Sequence, residues 1–131
     1  MRVIVFGATG SIGHLTVQEL LKEGHEVTAF ARNPQKLSFT NPKLSLIAGD
    51  ALDGKDVLAA VKDHDAVVIT LGSGMSRRSI IRSKGTKNVI RAMHAHSVRR
   101  LICQSTLGVG ESWFNLNFWW KRVMFGVLLA P

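Results

Sequence analysis

The order of elements along the chain predicts an α/β fold, a three-layer sandwich whose parallel sheet carries helices on both faces. Three observations predict it. Five short, largely apolar runs read as strands: Val3 to Phe6, which suits a strand buried on both faces, Val27 to Phe30, Leu44 to Ile47, the buried run Ala66 to Ile69, and Leu101 to Cys103. Helical patterns alternate with them, which calls for parallel strands joined by right-handed crossovers, with strand order 3-2-1-4-5. Glycines fall where a strand must turn sharply into a helix, in Gly7-Ala8-Thr9-Gly10-Ser11-Ile12-Gly13.

Each element has a local reason. The first strand ends at Gly7, and Ser11 is placed to cap the helix that follows. Ile12, Leu15, Val17, Leu20 and Leu21 form its apolar stripe, and Gly24 stops it. Pro34 marks a turn or a short helical start after the second strand, and Gly49-Asp50 closes the third. Asp53 caps a helix carrying Val57, Leu58 and Val61. The fourth strand runs into Leu71-Gly72-Ser73-Gly74. The longest helix is expected from about Arg77 to His96, with Ile81, Gly85, Val89 and Met93 four apart and Ile80, Thr86 and Ile90 widening that face. These aliphatics, and Cys103 in the fifth strand, are expected in the core. After Gln104-Ser105-Thr106-Leu107-Gly108 the pattern fails. Residues 113–131 are apolar without a clean period and end on Leu128-Leu129-Ala130-Pro131. The chain is therefore expected to be one domain over residues 1–131, with a core of 1–106, a loop or helix over 107–131 on the substrate side and a C-terminal part missing.

Composition narrows the function. The 131 residues are 46% hydrophobic and 20% charged, which suits a packed core and not a disordered chain. The lone cysteine excludes an intrachain disulfide framework, and the five histidines show no metal-ligand spacing, so no metal is expected. The net charge of +8 is uneven: residues 1–65 carry seven basic and eight acidic groups, residues 66–131 ten basic groups and Glu111. Eight of those ten lie between Arg77 and Arg100. Such a field attracts nucleic acid, an anionic membrane or an anionic small molecule. Nucleic acid is disfavoured because Ile80, Ile81, Val89 and Ile90 commit one face of the basic helix to the sheet. The Trp113 to Leu129 stretch is too short and too polar for an ordinary spanning helix. No targeting segment precedes the first strand, so a cytoplasmic location is expected.

The chemistry is concentrated at strand ends. Gly7 makes the tight exit from the first strand, Gly10 lets backbone approach a diphosphate, and Gly13 lets the helix pack closely on the sheet. The diphosphate would meet exposed N–H groups at the positive end of the helix. No Gly-Lys-Ser or Gly-Lys-Thr follows, which disfavours a Walker-type ATPase. Where an acid would read a free ribose 2′-hydroxyl, the second strand ends in Arg32, whose guanidinium suits a 2′-phosphate; this favours NADP(H) over NAD(H), with Lys36 placed to assist. Asp50 is placed to accept from an adenine amino group and Ala51 to offer a backbone N–H, although Asp50 also suits a turn or cap. Gly72 and Gly74 let backbone lie against ribose and nicotinamide. Arg77 and Arg78 follow as candidates for phosphates or an anionic substrate, or as a solvated helix start.

The glycine motif, Arg32, Gly49-Asp50, Gly85-Thr86-Lys87-Asn88-Val89-Ile90 and the strand leading to Ser105-Thr106 together resemble the atypical short-chain dehydrogenase/reductase superfamily. Within it the sequence is most similar to the flavin reductase/biliverdin reductase B group and the NmrA-like proteins, which have Rossmann-like folds. The resemblance implies that Gly7, Thr9, Gly10, Ser11, Ile12 and Gly13 meet the cofactor phosphates, Arg32 the 2′-phosphate, Asp50 and Ala51 the adenine, and Leu71 and Gly72 the cofactor's central part. It implies a catalytic hydroxyl beside the nicotinamide at Ser105 or Thr106. Many members use a Tyr-x-x-x-Lys pair, and these 131 residues contain no Tyr. The implied function is an NADPH-dependent reductase of a small flavin-like, quinone-like or carbonyl acceptor, alternatively an NADP(H) sensor without turnover or a sugar-nucleotide epimerase or dehydratase. Trp113, Phe114, Phe118, Trp119 and Trp120 would line an acceptor pocket, form a partner surface or pack in the core.

Overall fold

A computed structural model of the chain describes residues 1–71 and 81–104. Its elements alternate as β1 (Arg2–Phe6), α1 (Ser11–Lys22), β2 (Glu26–Ala31), a 3₁₀ turn (Pro34–Lys36), β3 (Leu44–Ala48), α2 (Gly54–Val61), β4 (Ala66–Ile69), α3 (Ile81–Ala95) and β5 (Arg100–Cys103). The five strands form one sheet in the order β3-β2-β1-β4-β5, every pair parallel. This is the predicted Rossmann-like arrangement.

The runs of β1 and β4 are continuously apolar because both faces of the sheet are covered at its centre. Alternation along each strand divides their side chains between two clusters. Val3, Val5, Val27, Ala29, Ala66 and Val68 pack with Val17 of α1, and Leu20 and Leu21 flank them. Ile4, Phe6, Phe30, Val67 and Ile69 pack on the other face with Val57 and Val61 of α2 and Val89, Ala92 and Met93 of α3. The Phe6 and Phe30 rings meet at 4.7 Å between centroids, just under the upper rim of the sheet.

Helix ends follow local chemistry. Asp53 is the N-cap of α2, its carboxylate accepting from the Lys55 N–H at 2.9 Å. Past the end of α1, the Gly24 N–H donates to the Leu21 carbonyl and the His25 N–H to that of Leu20, both at 3.1 Å. That pairing requires a left-handed residue between them, and Gly24 supplies it with φ +87°.

Four expectations need correction. Gly10, extended at φ −73° and ψ 171°, is the N-cap of α1, while Ser11 is already its first helical residue and makes no capping bond. The apolar stripe of α1 is narrower than five aliphatics: Ile12 and Leu15 are 47% and 51% exposed, and Gly13 and Val17 hold the buried centre. Leu46, Leu58 and Ile90 are likewise exposed. Cys103 is exposed, as is all of β5, because that strand lies at the end of the sheet and pairs with β4 on one side only.

Candidate functional site

A cleft of about 420 Å³ opens where the strands end at their C-terminal side. Its floor is the β1–α1 turn. Gly7 adopts φ +80°, and a Cβ there would stand 2.7 Å from the Thr70 carbonyl, so both conformation and space demand glycine. Thr70 clamps this turn: its hydroxyl donates to the Phe6 carbonyl at 2.9 Å and reaches the Gly7 carbonyl at 3.3 Å. The Gly7 N–H donates across to the Phe30 carbonyl at 3.2 Å. Gly13 sits against the same turn, where a Cβ would come within 1.9 Å of the Gly7 carbonyl oxygen.

The consequence is a helix start with open donors. The first intrahelical bond of α1 runs from the His14 N–H to the Gly10 carbonyl at 3.0 Å. Ser11, Ile12 and Gly13 precede it, and among the described residues nothing accepts from their N–H groups. A glycine N-cap has no side chain to satisfy them. Three converging N–H groups at a helix N-terminus suit an anion.

Four further segments make the walls. Beyond β2, Arg32 lines the cleft and is exposed, and no acid among the described residues pairs with it; their ion pairs are Arg2–Glu26 and Lys22–Glu19. Beyond β3, Asp50 and Ala51 line it. Asp50 Oδ1 accepts from the Leu52 N–H at 2.9 Å, so the turn role and the cleft position hold together. Beyond β4 and β5 come Leu71 and Gln104, the latter anchored by its N–H to the Ile69 carbonyl at 2.9 Å.

The structure thus gathers Gly7, Thr9, Gly10, Ser11, Ile12, Arg32, Asp50, Ala51 and Leu71 around one cleft, with Gly13 supporting its floor. Gly72, Ser105, Thr106, Arg77, Arg78 and the aromatics from Trp113 onward lie outside the described residues. Sequence reasoning missed Phe30, Ala31, Gly49, Thr70 and Gln104 as lining residues. Thr70 carries a signal in hindsight, a hydroxyl placed just after a fully apolar strand neighbouring the first. Among the described residues no group of His, Cys, Asp or Glu could hold a metal, and no helix is long and apolar enough to cross a membrane.

A family model described as NAD(P)H-binding matches residues 7–131, beginning at the glycine that opens the turn. The chain belongs to this NAD(P)H-binding family. A 3-beta-hydroxysteroid dehydrogenase of Mycolicibacterium neoaurum is 35% identical over 113 residues, covering 77% of this chain and 31% of that relative. A Rossmann-fold NAD(P)-binding family protein from Shigella flexneri has 31% identity and a TM-score of 0.69, covering 85% of this chain and 54% of its own. An anaerobillin reductase from Escherichia coli O157:H7 superposes over 98% of this chain and 62% of its own with a TM-score of 0.77; at 23% identity this is a likeness of fold. The chain therefore spans about a third of that curated relative and little more than half of those solved structures.

The donor set of this NAD(P)H-binding chain fits a nicotinamide dinucleotide. Open N–H groups at the start of α1 suit a diphosphate, and Gly10, where a Cβ would meet only the Gly7 carbonyl oxygen, leaves room beside them.

Proposed function

We propose that the protein is an NADP(H)-dependent oxidoreductase that reduces a small flavin-like, quinone-like or carbonyl acceptor. The observation that carries the cofactor preference is Arg32, an exposed guanidinium in the cleft wall at the end of β2 with no acidic partner among the described residues. A 2′-phosphate would give it the dianion it lacks, and its fork geometry matches that group. The N–H groups of Ser11, Ile12 and Gly13 receive the diphosphate in this reading, with Thr9 and Gly10 beside them. Asp50 and Ala51 take the adenine, and Leu71 with Gly72 flank the central part.

When bound, the cofactor supplies hydride from its nicotinamide ring. The chain's contribution is alignment and electrostatics. A hydroxyl from Ser105 or Thr106, just past β5, donates to the oxygen or nitrogen of the acceptor that gains negative charge. The name of the dehydrogenase relative from Mycolicibacterium neoaurum supports this class of reaction.

A sensor that binds NADP(H) without turnover is the second reading, favoured by the lack of Tyr in these 131 residues. Titration with NADPH and NADH tests the cofactor, and NADPH oxidation across flavins, quinones and carbonyl compounds tests turnover. Tight NADPH binding with no oxidation by any acceptor would favour the sensor. Equal affinity for NADPH and NADH would remove the role given to Arg32.

A further inference from the structure

Loop 49–52 forms one wall of the cleft, and besides its own turn bonds and the Gly49 N–H to the Ala31 carbonyl, two bonds reach it from the helices behind. The Asp50 N–H donates to the Asp56 carboxylate of α2 at 3.0 Å. The Ala51 carbonyl accepts from the Asn88 side-chain amide of α3 at 2.9 Å. Neither Asn88 nor Asp56 lines the cleft. Asparagine is a poor choice for a helix interior on propensity alone, because its side chain competes for backbone groups. Here that side chain is committed to a carbonyl 37 residues away. One turn earlier on α3, a Cβ at Gly85 would stand 2.8 Å from Leu71 Cδ1 and 3.5 Å from the Ala51 Cβ. A single stretch of α3 therefore touches the cleft walls that follow β3 and β4.

We propose that Asn88 and Asp56 are positioning residues for base recognition: Asn88 fixes Ala51 and Asp56 fixes Asp50, holding the second Asp50 carboxylate oxygen and the Ala51 N–H at the cleft wall. This rests on the cofactor reading above. Held there, a carboxylate oxygen accepts from the amino group of adenine and opposes the ring carbonyl of hypoxanthine. Asn88 must donate, so an isosteric carboxylate in its place would face the Ala51 carbonyl with like partial charge and release the loop.

The test is calorimetric titration of wild type, Asn88→Asp, Asn88→Ala and Asp56→Ala with NADPH and its hypoxanthine analogue. Wild type should prefer NADPH. Each variant should bind NADPH about 2- to 12-fold more weakly, the range that one net hydrogen bond translates into. Each should also lose most of its preference over the analogue, a loss that a purely structural contribution to folding would not produce. Asp56→Ala reads the same loop from α2 where the Asn88 variants do not fold. A folded Asn88→Asp variant with wild-type affinity and preference overturns the proposal. So does a wild type that binds NADPH and its analogue equally, although the cofactor reading then stands. A wild type that binds neither removes the cofactor reading and this proposal with it.

Discussion

Replacing Gly13 by alanine isolates the contact on which the helix start depends. The added Cβ would lie 1.9 Å from the Gly7 carbonyl oxygen, 2.8 Å from the Gly7 carbonyl carbon and 2.9 Å from the Ala8 Cα. All three are backbone atoms, so no side-chain rotation relieves the overlap, and α1 must move away by about 1 Å or more to reach van der Waals contact. Overpacking of a tight site costs about 1–3 kcal/mol, and a backbone clash belongs in the upper half of that range. For a chain of 131 residues this lowers Tm by about 7–11 °C. The same displacement carries the Ser11, Ile12 and Gly13 donors off target. Losing one charge-assisted hydrogen bond weakens NADPH binding by about tenfold to a hundredfold. Gly10→Ala is the control. Its Cβ meets only the Gly7 oxygen at 3.4 Å, and its backbone is extended at φ −73°, so Tm should stay within about 2 °C of wild type. The new methyl lies at the cleft and should weaken NADPH alone. Thermal unfolding with and without NADPH separates the two variants. A Gly13→Ala protein with wild-type Tm would refute the close-approach argument.

Other substitutions probe the remaining elements. Arg32→Ala should weaken NADPH about tenfold or more and leave NADH within about twofold, read by titration with both nucleotides. Asp53→Ala removes the N-cap of α2 and should cost about 1 kcal/mol, a Tm drop of about 4 °C by calorimetry. Leu15→Gln should change stability by less than about 0.5 kcal/mol in urea unfolding, because Leu15 is half exposed; a loss of about 2 kcal/mol or more would return it to the core.

What the sequence revealed and what it concealed have separate physical causes. The central strands were legible because a parallel sheet covered on both faces writes itself as nearly uninterrupted apolar runs in β1, β2 and β4, and the edge strands β3 and β5 followed from the alternation of elements. The glycine turn was legible because close approach and positive φ exclude other residues at Gly7 and Gly13. Arg32, Asp50, Ala51 and Leu71 could be placed at the cleft from their positions just past strands. The α1 stripe failed for a geometric reason visible in hindsight. At about 100° per residue, Leu15 lies about 160° around the helix from Val17, so both cannot face the sheet. The N-cap failed because Gly10 and Ser11 are both acceptable capping residues, and only backbone dihedrals choose between them. Cys103 failed because the apolar run Leu101 to Cys103 reads as core although the expected strand order already puts it at the end of the sheet, where β5 is exposed throughout. Asn88 and Asp56 were invisible as partners because their bonds to loop 49–52 join residues whose proximity only the fold creates.

Sheet register turns these scattered residues into one site. Phe6 of β1 stands level with Phe30 of β2 and Ile69 of β4, Phe30 with Ile47 of β3, and Ile69 with Cys103 of β5. The residues just beyond these five positions therefore emerge along one rim: Gly7, Ala31-Arg32, Gly49-Asp50, Thr70-Leu71 and Gln104. α1 leaves this rim onto one face while α2 and α3 cover the other, so the chain parts at the end of β1 and leaves a crevice there. The register is itself held by burial. A one-residue slip of β2 would trade the buried Val27 and Ala29 for Thr28 and Phe30 on the α1 face, and the side-chain period of two permits no smaller error. The same slip would carry Arg32 about 3.3 Å along the strand relative to the start of α1, with which it lines the cleft. Core packing and the geometry of the cleft are thus set by one alignment, and a substitution that disturbs the first cannot spare the second.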